Sequence, residues 1–372
     1  MSMQTAFYAR IGELTDDWMD LFGYAAPAVV TDTLAEYRAV RETVGLMDFS
    51  MLRKLDVTGP GALSLLDGLV TRDLAKVRPG HIAYGALVDE GGKMVDDCTA
   101  SVFSAGSVRF CGANDRDAEL FAAAAAGTDV AVHPFTDDMP HLCVQGPRSR
   151  DLLRSLSDRD LSNAAFPYYT FADGVPIAGI PVFMTRLGYT AELGYELWVE
   201  RERAVDLWDA LMAAGTRFGM ALIGMTALDV LRIEGGFIIG GVEYDPTVSP
   251  YECGLGWAVD FDKPHLHGRD GLLRDKDATT LRLASVVLDD GGAQASGAQL
   301  YQRDGSDPVG FVTQAVRSPH LGGRTLGLAK LRRPHHAAGT AVVAVVEGTE
   351  IPGEVVPHPV YDPKRTRAKE TA

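Results

Sequence analysis

Over the first 280 residues the apolar positions switch between the three-to-four spacing of helices and the alternation of strands. A helix is predicted from Asp32 to Arg41, and the strand-like MDFSMLRKLDV follows it. Asn114 is placed to cap a second helix running through the alanine stretch to Gly127, with Asp117 three residues on in a near capping-box arrangement. Val205, Trp208, Leu211 and Met212 make one helical stripe. TALDVLRIE (226–234) forms a further helix, stopped by Gly235-Gly236. Two strands, PIAGIPVFMTRLG and ELGYELWVE, precede the 203–219 helix.

One pattern occurs twice. VTGPGALSLLDGL (57–69) and VQGPRSRDLLRSL (144–156) both fit V-x-G-P-x-x-x-x-L-L-x-x-L. In each copy an apolar strand ends at a glycine that permits a tight reversal, and proline is expected at the first helical position, where its missing N–H costs nothing. The leucines then form one apolar stripe. Two such copies predict two related α+β halves about a pseudo-two-fold axis. Beyond about residue 280 the texture changes. LRLASVVLD, AQLYQ, VGFVTQAV, TLGLAKL, AVVAVV and EVVPHPVYD are short β-type runs separated by Gly, Pro and Asp, the mark of a small antiparallel barrel or sandwich. The basic, polar tail PKRTRAKETA reads as frayed.

Composition narrows the function. At roughly 100–200 residues per domain, 372 residues make two or three domains. The net charge of -15 argues against nucleic acid, because phosphate backbones repel such a surface. No apolar run approaches the ~20 residues of a spanning helix, and the N-terminus lacks a secretory pattern, so no membrane role and a cytoplasmic location are expected. Cys98, Cys111, Cys143 and Cys253 are far apart, without CxxC or zinc-type spacing, and read as reduced thiols. No metal site is expected.

Four segments carry candidate chemistry. YGALVDEGGKMVDD (84–97) reads as a hairpin whose return strand brings Asp96-Asp97 near Tyr84, with alternation turning only one aspartate toward a pocket. In GYTAELGYE (188–196), Glu196 is flanked by Tyr195 and Trp198, a carboxylate beside large rings. Arg232 stands on a helix face built from Leu228, Leu231 and Ile233. YDPTVSPYECGLGWAVDFDK (244–263) is too aromatic for a linker. GxxxxGK[ST], GxGxxG, HExxH and GxSxG are absent, which argues against nucleotide, flavin, zincin and serine-hydrolase chemistry.

These segments, with VGLMDFS (44–50), QGPRSRDLL, ALDVLRIEGG, SPYECGLGW, VGFVTQAVRSP and VVPHPVYDP, resemble the glycine-cleavage T-protein (aminomethyltransferase) family over nearly the whole chain. The resemblance implies an α+β, three-lobed fold with a folate channel. The body would span 1–280, as intertwined lobes of roughly 1–52 with 138–232 and 53–137 with 233–280. A β-barrel at 281–365 and a tail at 366–372 would follow. It also implies tetrahydrofolate as cofactor, with Asp97 as the catalytic group near folate N5. Tyr84, Tyr189, Glu196 and Arg232 would bind the folate, with Tyr169 or Tyr168 as a further ring wall. Glu196 would take the pterin's N–H and amino group as a bidentate pair, and Arg232 would pair with the cofactor or with Glu196.

Three departures bear on the donor. The D-x-S-H-x-G of glycine-cleavage proteins reads DFSMLR (48–53), GYTGE reads GYTAE with Ala191, and the hairpin's second Gly is Lys93. They favour relatives that move a methyl, aminomethyl or methylene group from a small donor to tetrahydrofolate. The alternative partner is a lipoylated carrier protein. A non-catalytic folate-binding member ranks third, because the KGCYxGQE signature of that group is missing.

Overall fold

The computed structural model describes residues 2–303 and 305–370. Two open sheets and a barrel organise them. The first sheet runs in the order Phe171–Ile177, Ile180–Thr185, Gly194–Trp198, His141–Gln145, Val44–Asp48, Met220–Leu222, antiparallel except for the last pair. The second, all antiparallel, runs His81–Val88, Met94–Ser104, Ser107–Gly112, Arg53–Thr58, Ala131–Pro134. Each copy of the sequence repeat supplies one strand, and the helix after it, to a different sheet.

The two copies turn in the same way. Gly59 and Gly146 both adopt left-handed φ, +119° and +127°. A Cβ at either would run into a backbone carbonyl, that of Asp129 or Thr43, so only glycine fits. Ala62 N–H bonds Gly59 O at 3.0 Å, and Ser149 N–H bonds Gly146 O at 3.0 Å. The prolines therefore sit inside a turn, ahead of the helices Ala62–Leu69 and Ser149–Arg154 and not at their first position. Leu66 and Leu69 pack into one core, Leu152 and Leu153 into another.

Other local expectations meet the coordinates with small corrections. Asp32 caps Thr33–Glu42 by accepting Ala35 N–H at 2.9 Å. Asn114 accepts Arg116 N–H at 3.0 Å, ahead of Arg116–Ala125. Asp117 is fully buried, with the Asn114 backbone N–H acting on its carboxyl as in a capping box. The 176–188 segment is a hairpin, not one strand, because Ala178-Gly179 forms a tight turn between Ile177 and Ile180. Residues 281–356 close a six-stranded barrel, from Leu281–Leu288 to Thr349–Val356.

The tail does not fray over the described residues. Thr366–Glu370 is helical, with the Ala368 and Lys369 carbonyls taken by the buried Arg186 guanidinium. Thr371 and Ala372 lie outside the described residues. All four cysteines are free and buried. Among the described residues no helix is long and apolar enough to cross a membrane.

Two seams join the units. Ile82 N–H bonds Tyr169 O at 2.9 Å and Phe171 N–H bonds Gly80 O at 3.1 Å, stitching the sheets together. The helix Met225–Glu234 packs against barrel residues Val316, Leu326 and Leu328. At its end Glu234 accepts from Tyr37 (2.8 Å), Arg41 (2.8 Å) and Ser318 (2.6 Å).

Candidate active site

The hairpin His81–Val88/Met94–Ser104 pairs Ala86 with Asp97 and Tyr84 with Thr99, so Tyr84 and Asp97 are diagonal neighbours on one face. The Tyr84 hydroxyl donates to Asp97 Oδ2 at 2.8 Å. Alternation turns Asp96 to the other face, where the backbone N–H groups of Ala113 and Asn114 donate to it. The separation is incomplete. Tyr244, from the aromatic segment flagged in the sequence, places its hydroxyl 2.6 Å from Asp97 Oδ1 and 2.8 Å from Asp96 Oδ1. Burial, and then the Asp96 charge, push the Asp97 carboxyl up from 3.8 to about 7, against the hydroxyls that hold it down.

Aromatic rings surround this carboxyl. Tyr84 stacks on Trp257 with centroids 6.1 Å apart, and Trp257 is 62% exposed. Tyr169 and Tyr168 meet edge to face at 4.7 Å. Tyr169 carries φ +62° because its backbone is fixed on both sides, its N–H by Arg186 O and its C=O by Ile82 N–H. Tyr189 lies 5.1 Å from Phe237 and donates its hydroxyl to Ile238 O. Tyr169 and Tyr189 both act electrostatically on the Tyr84 hydroxyl, so the three phenols gather at one place. All three are partly exposed, each beside a buried residue in the chain (Ala83 and Gly85, Thr170, Thr190), as in the wall of a cleft.

The Arg365 guanidinium lies 4.4 Å over Phe237, donates to Gly235 O at 2.7 Å, and leaves Nη1 buried without a partner among the described residues. Sequence reasoning missed Tyr244, Trp257 and Arg365 as individuals. The first two lie in the segment marked as too aromatic to be a linker, and the third follows a motif in a tail read as frayed.

Glu196 lies opposite Cys143 in the first sheet. Thr185 donates to its Oε2 at 3.1 Å and Trp198 Nε1 to the same atom at 3.4 Å, leaving Oε1 free among the described residues. Burial raises this carboxyl from 4.5 to about 7. Possible ligand atoms of His141, Cys143 and Glu196 lie within 4.8 Å of one another. The fully buried Lys54 ammonium acts on both His141 and Glu196, and such a cation opposes a metal ion there.

Arg232 is 1% exposed and tied down. It bonds Glu243 at 2.8 Å and Asp229 at 3.0 Å, and it also donates to Gln314 and to Phe237 O. It does not pair with Glu196, because Glu243 already neutralises it. Its influence on the cleft runs through Tyr189, whose hydroxyl burial pushes up and the Arg232 charge pulls only partly back.

Comparison with known proteins decides what the arrangement belongs to. The family model described as the GCVT N-terminal domain matches residues 4–263. The chain belongs to the glycine-cleavage T-protein family. The family's C-terminal barrel domain matches residues 282–362. Among relatives, an aminomethyltransferase of Geobacillus thermodenitrificans is 33% identical over 95% of this chain and 96% of its own length. A trimethylamine-oxide aldolase of Ruegeria pomeroyi is 32% identical over 99% of this chain, which spans only 48% of that protein. The glycine cleavage aminomethyltransferase T of Bartonella henselae, a solved structure, shares the fold at TM-score 0.88 and 22% identity, covering 97% of this chain and 99% of that one. The chain is thus an enzyme of a family of tetrahydrofolate-dependent one-carbon transferases.

Two family departures have a structural place. In DFSMLR, Asp48 is buried and accepts from Thr5 and Ser50, both at 2.6 Å, while Met51 belongs to the apolar core against which Tyr189 also packs. Ala191, where T-proteins carry glycine, is held at φ +64° and buried, its Cβ facing the place a Gly235 side chain would take.

Proposed function

We propose that this protein transfers a methyl, aminomethyl or methylene unit from a small free donor to N5 of tetrahydrofolate. The observation that carries the reading is Asp97, a partly exposed carboxyl held by Tyr84 and Tyr244 and raised to about 7 at the centre of an aromatic cleft. The chemistry the folate supplies is a nucleophilic N5 that accepts the carbon. The residues present fit it. Glu196 offers a free Oε1 for a pterin N–H edge, and Tyr84, Tyr169 and Tyr189 offer flat walls. The unpartnered Arg365 Nη1 suits a carboxylate at the far end. Asp97 orients the reacting nitrogen and stabilises positive charge that develops there. Arg232 supports the site by fixing Glu243 and Gln314.

The small-donor reading rests on the DFSMLR segment, on the net charge of -15, and on similarity along 99% of the chain to a trimethylamine-oxide aldolase. Like-signed protein partners associate slowly unless a local patch steers them. The second reading, transfer from a lipoylated carrier protein, is favoured by similarity to aminomethyltransferases along 96% of their length. Four buried free thiols fit action in the cytoplasm. The test incubates the protein and tetrahydrofolate with methylated amines, ethers and sulfonium compounds, beside a reconstitution with carrier protein, decarboxylase and glycine. A folate product from a small donor alone supports the proposal. Ammonia release and methylenetetrahydrofolate in the reconstitution alone would overturn it.

A further inference from the structure

Behind Asp97 stands a third carboxyl. Asp117, on the helix Arg116–Ala125, is 0% exposed, and among the described residues the one N–H near its oxygens is that of the Asn114 backbone, which draws the carboxyl down but does not reach full hydrogen-bond geometry. The one side chain bonded to it is Asp96, itself 2% exposed. Gly112 makes the meeting possible. A Cβ there would collide with Asp96 Oδ2, Asp117 Oδ2 (2.6 Å) and Phe110 (3.0 Å), so the two carboxyls fill the space a side chain would take. Two carboxylate oxygens in contact repel; a proton between them turns the contact into a hydrogen bond.

Counting hydrogens at Tyr244 locates a second proton. Its oxygen accepts the Asp97 N–H at 3.1 Å and touches Asp96 Oδ1 at 2.8 Å and Asp97 Oδ1 at 2.6 Å. A phenol has one hydrogen to donate and both contacts are short, so the arrangement is best met when one of these two carboxyl oxygens carries a proton and donates to the phenol. The groups facing the cluster are Tyr84 on its hairpin, Tyr189, Tyr244, Cys98, Cys111 and Cys253. Each is neutral in its ordinary form, so nothing among them offsets three negative charges. The cluster Asp96–Asp97–Asp117 thus rests with two protons and one net charge.

We infer that Asp117 is a positioning residue that donates its carboxylic proton to Asp96, keeps Asp96 ionised, and so leaves the proton shared across Tyr244 on Asp97. The inference rests on the one-carbon reading for its use, not for its chemistry. Asp97 then meets the donor as an acid. Its O–H bond breaks, and the proton goes to the donor heteroatom as that atom's bond to the one-carbon unit breaks. The bond from the unit to the receiving nitrogen forms, and the proton that nitrogen releases returns to Asp97. No proton is gained or lost, and Asp96, Asp117 and Tyr244 end as they began. Burial and the Asp96 charge raise the Asp117 carboxyl far above its usual range, in keeping with a proton held there.

Infrared difference spectra of the whole protein test this without turnover. Subtracting the spectrum of each protein's D97N counterpart isolates the Asp97 carboxyl. For the wild type at neutral pH the difference contains a carboxylic-acid C=O band. D117N, whose amide still donates to Asp96, keeps that band. D117L removes the donor, so Asp96 takes the shared proton and the band gives way to carboxylate bands. An acid band that persists in D117L overturns the inference. Should D117L not fold, Y244F serves: ending the sharing must move the Asp97 band, and an unmoved band overturns the inference. In turnover, D117L should lose about tenfold in kcat at unchanged KM for tetrahydrofolate, with D117N restoring most of it. An infrared shift without turnover from any donor would support the proton assignment and overturn the one-carbon reading.

Discussion

Replacing Asp97 by Asn separates charge from shape at the centre of the cleft. The side chain keeps its size, and its two partners are hydroxyls, at 2.8 Å from Tyr84 and 2.6 Å from Tyr244. Each hydroxyl both donates and accepts, so either turns to meet an amide, and the fold survives. What is lost is one ionisable group, able to give up and take back a proton, aimed at the reacting nitrogen. Removing one such positioned group costs about 10²–10³ in rate, or about 2.7–4 kcal/mol of transition-state stabilisation.

The same substitution has a second, opposite signature. The folded protein holds the Asp97 proton up to about 7, while the unfolded chain releases it near 3.8. Between those values the folded state binds more protons, so this group's contribution makes stability fall as pH rises, by up to about 4 kcal/mol before the screening its partial exposure allows. D97N deletes that dependence. The variant should gain stability relative to wild type as pH rises from about 4 to 7, and the gain should level off above. Thermal melts across that range read stability, and single-turnover formation of the folate product reads rate. Turnover within a few-fold of wild type would remove Asp97 from the chemistry. A melting difference independent of pH would refute the burial argument.

Further variants probe the surroundings. E196Q keeps the contacts to Thr185 and Trp198 but removes the charge, so tetrahydrofolate affinity by calorimetry should drop by about 2–5 kcal/mol, and unchanged affinity would place the pterin elsewhere. R232A strands the fully buried Glu243, so chemical denaturation should show a loss of about 3–5 kcal/mol, whereas a loss below about 1 kcal/mol would mean the pair is not structural. A191G relieves left-handed strain of about 1–2 kcal/mol but gives up one buried methyl, ~0.8 kcal/mol, and adds unfolded-state freedom of about 0.5–1 kcal/mol. Stability should therefore move by less than about 1 kcal/mol, and a loss above about 2 kcal/mol would show that the methyl packs better than its strain costs.

What the sequence made legible was local. The repeated V-x-G-P turn and the barrel strands depend on residues a few positions apart, and each has a glycine or an alternation that signals it. The Tyr84–Asp97 contact, 13 positions apart, follows from one hairpin's register. Tyr244 reaches Asp97 across 147 positions and Arg365 reaches Gly235 across 130, and no periodicity encodes such meetings. Arg232 illustrates the limit. Its helix was readable, but Glu243 and Gln314 arrive from later segments, so its pairing within the protein was not. The place of Asp117 three residues after Asn114 was legible, but its meeting with Asp96 was not, because the room that Gly112 leaves exists only once the strand is in place.

The account stands on folate sitting in the cleft between Asp97 and Glu196. Difference electron density from crystals soaked anaerobically in tetrahydrofolate tests that claim most directly. The account predicts a pterin whose amino edge meets Glu196 Oε1 and whose N5 lies within hydrogen-bond distance of Asp97, with Tyr84 and Tyr189 against its ring. Density for the folate at any other place, with this cleft filled only by water, would contradict it.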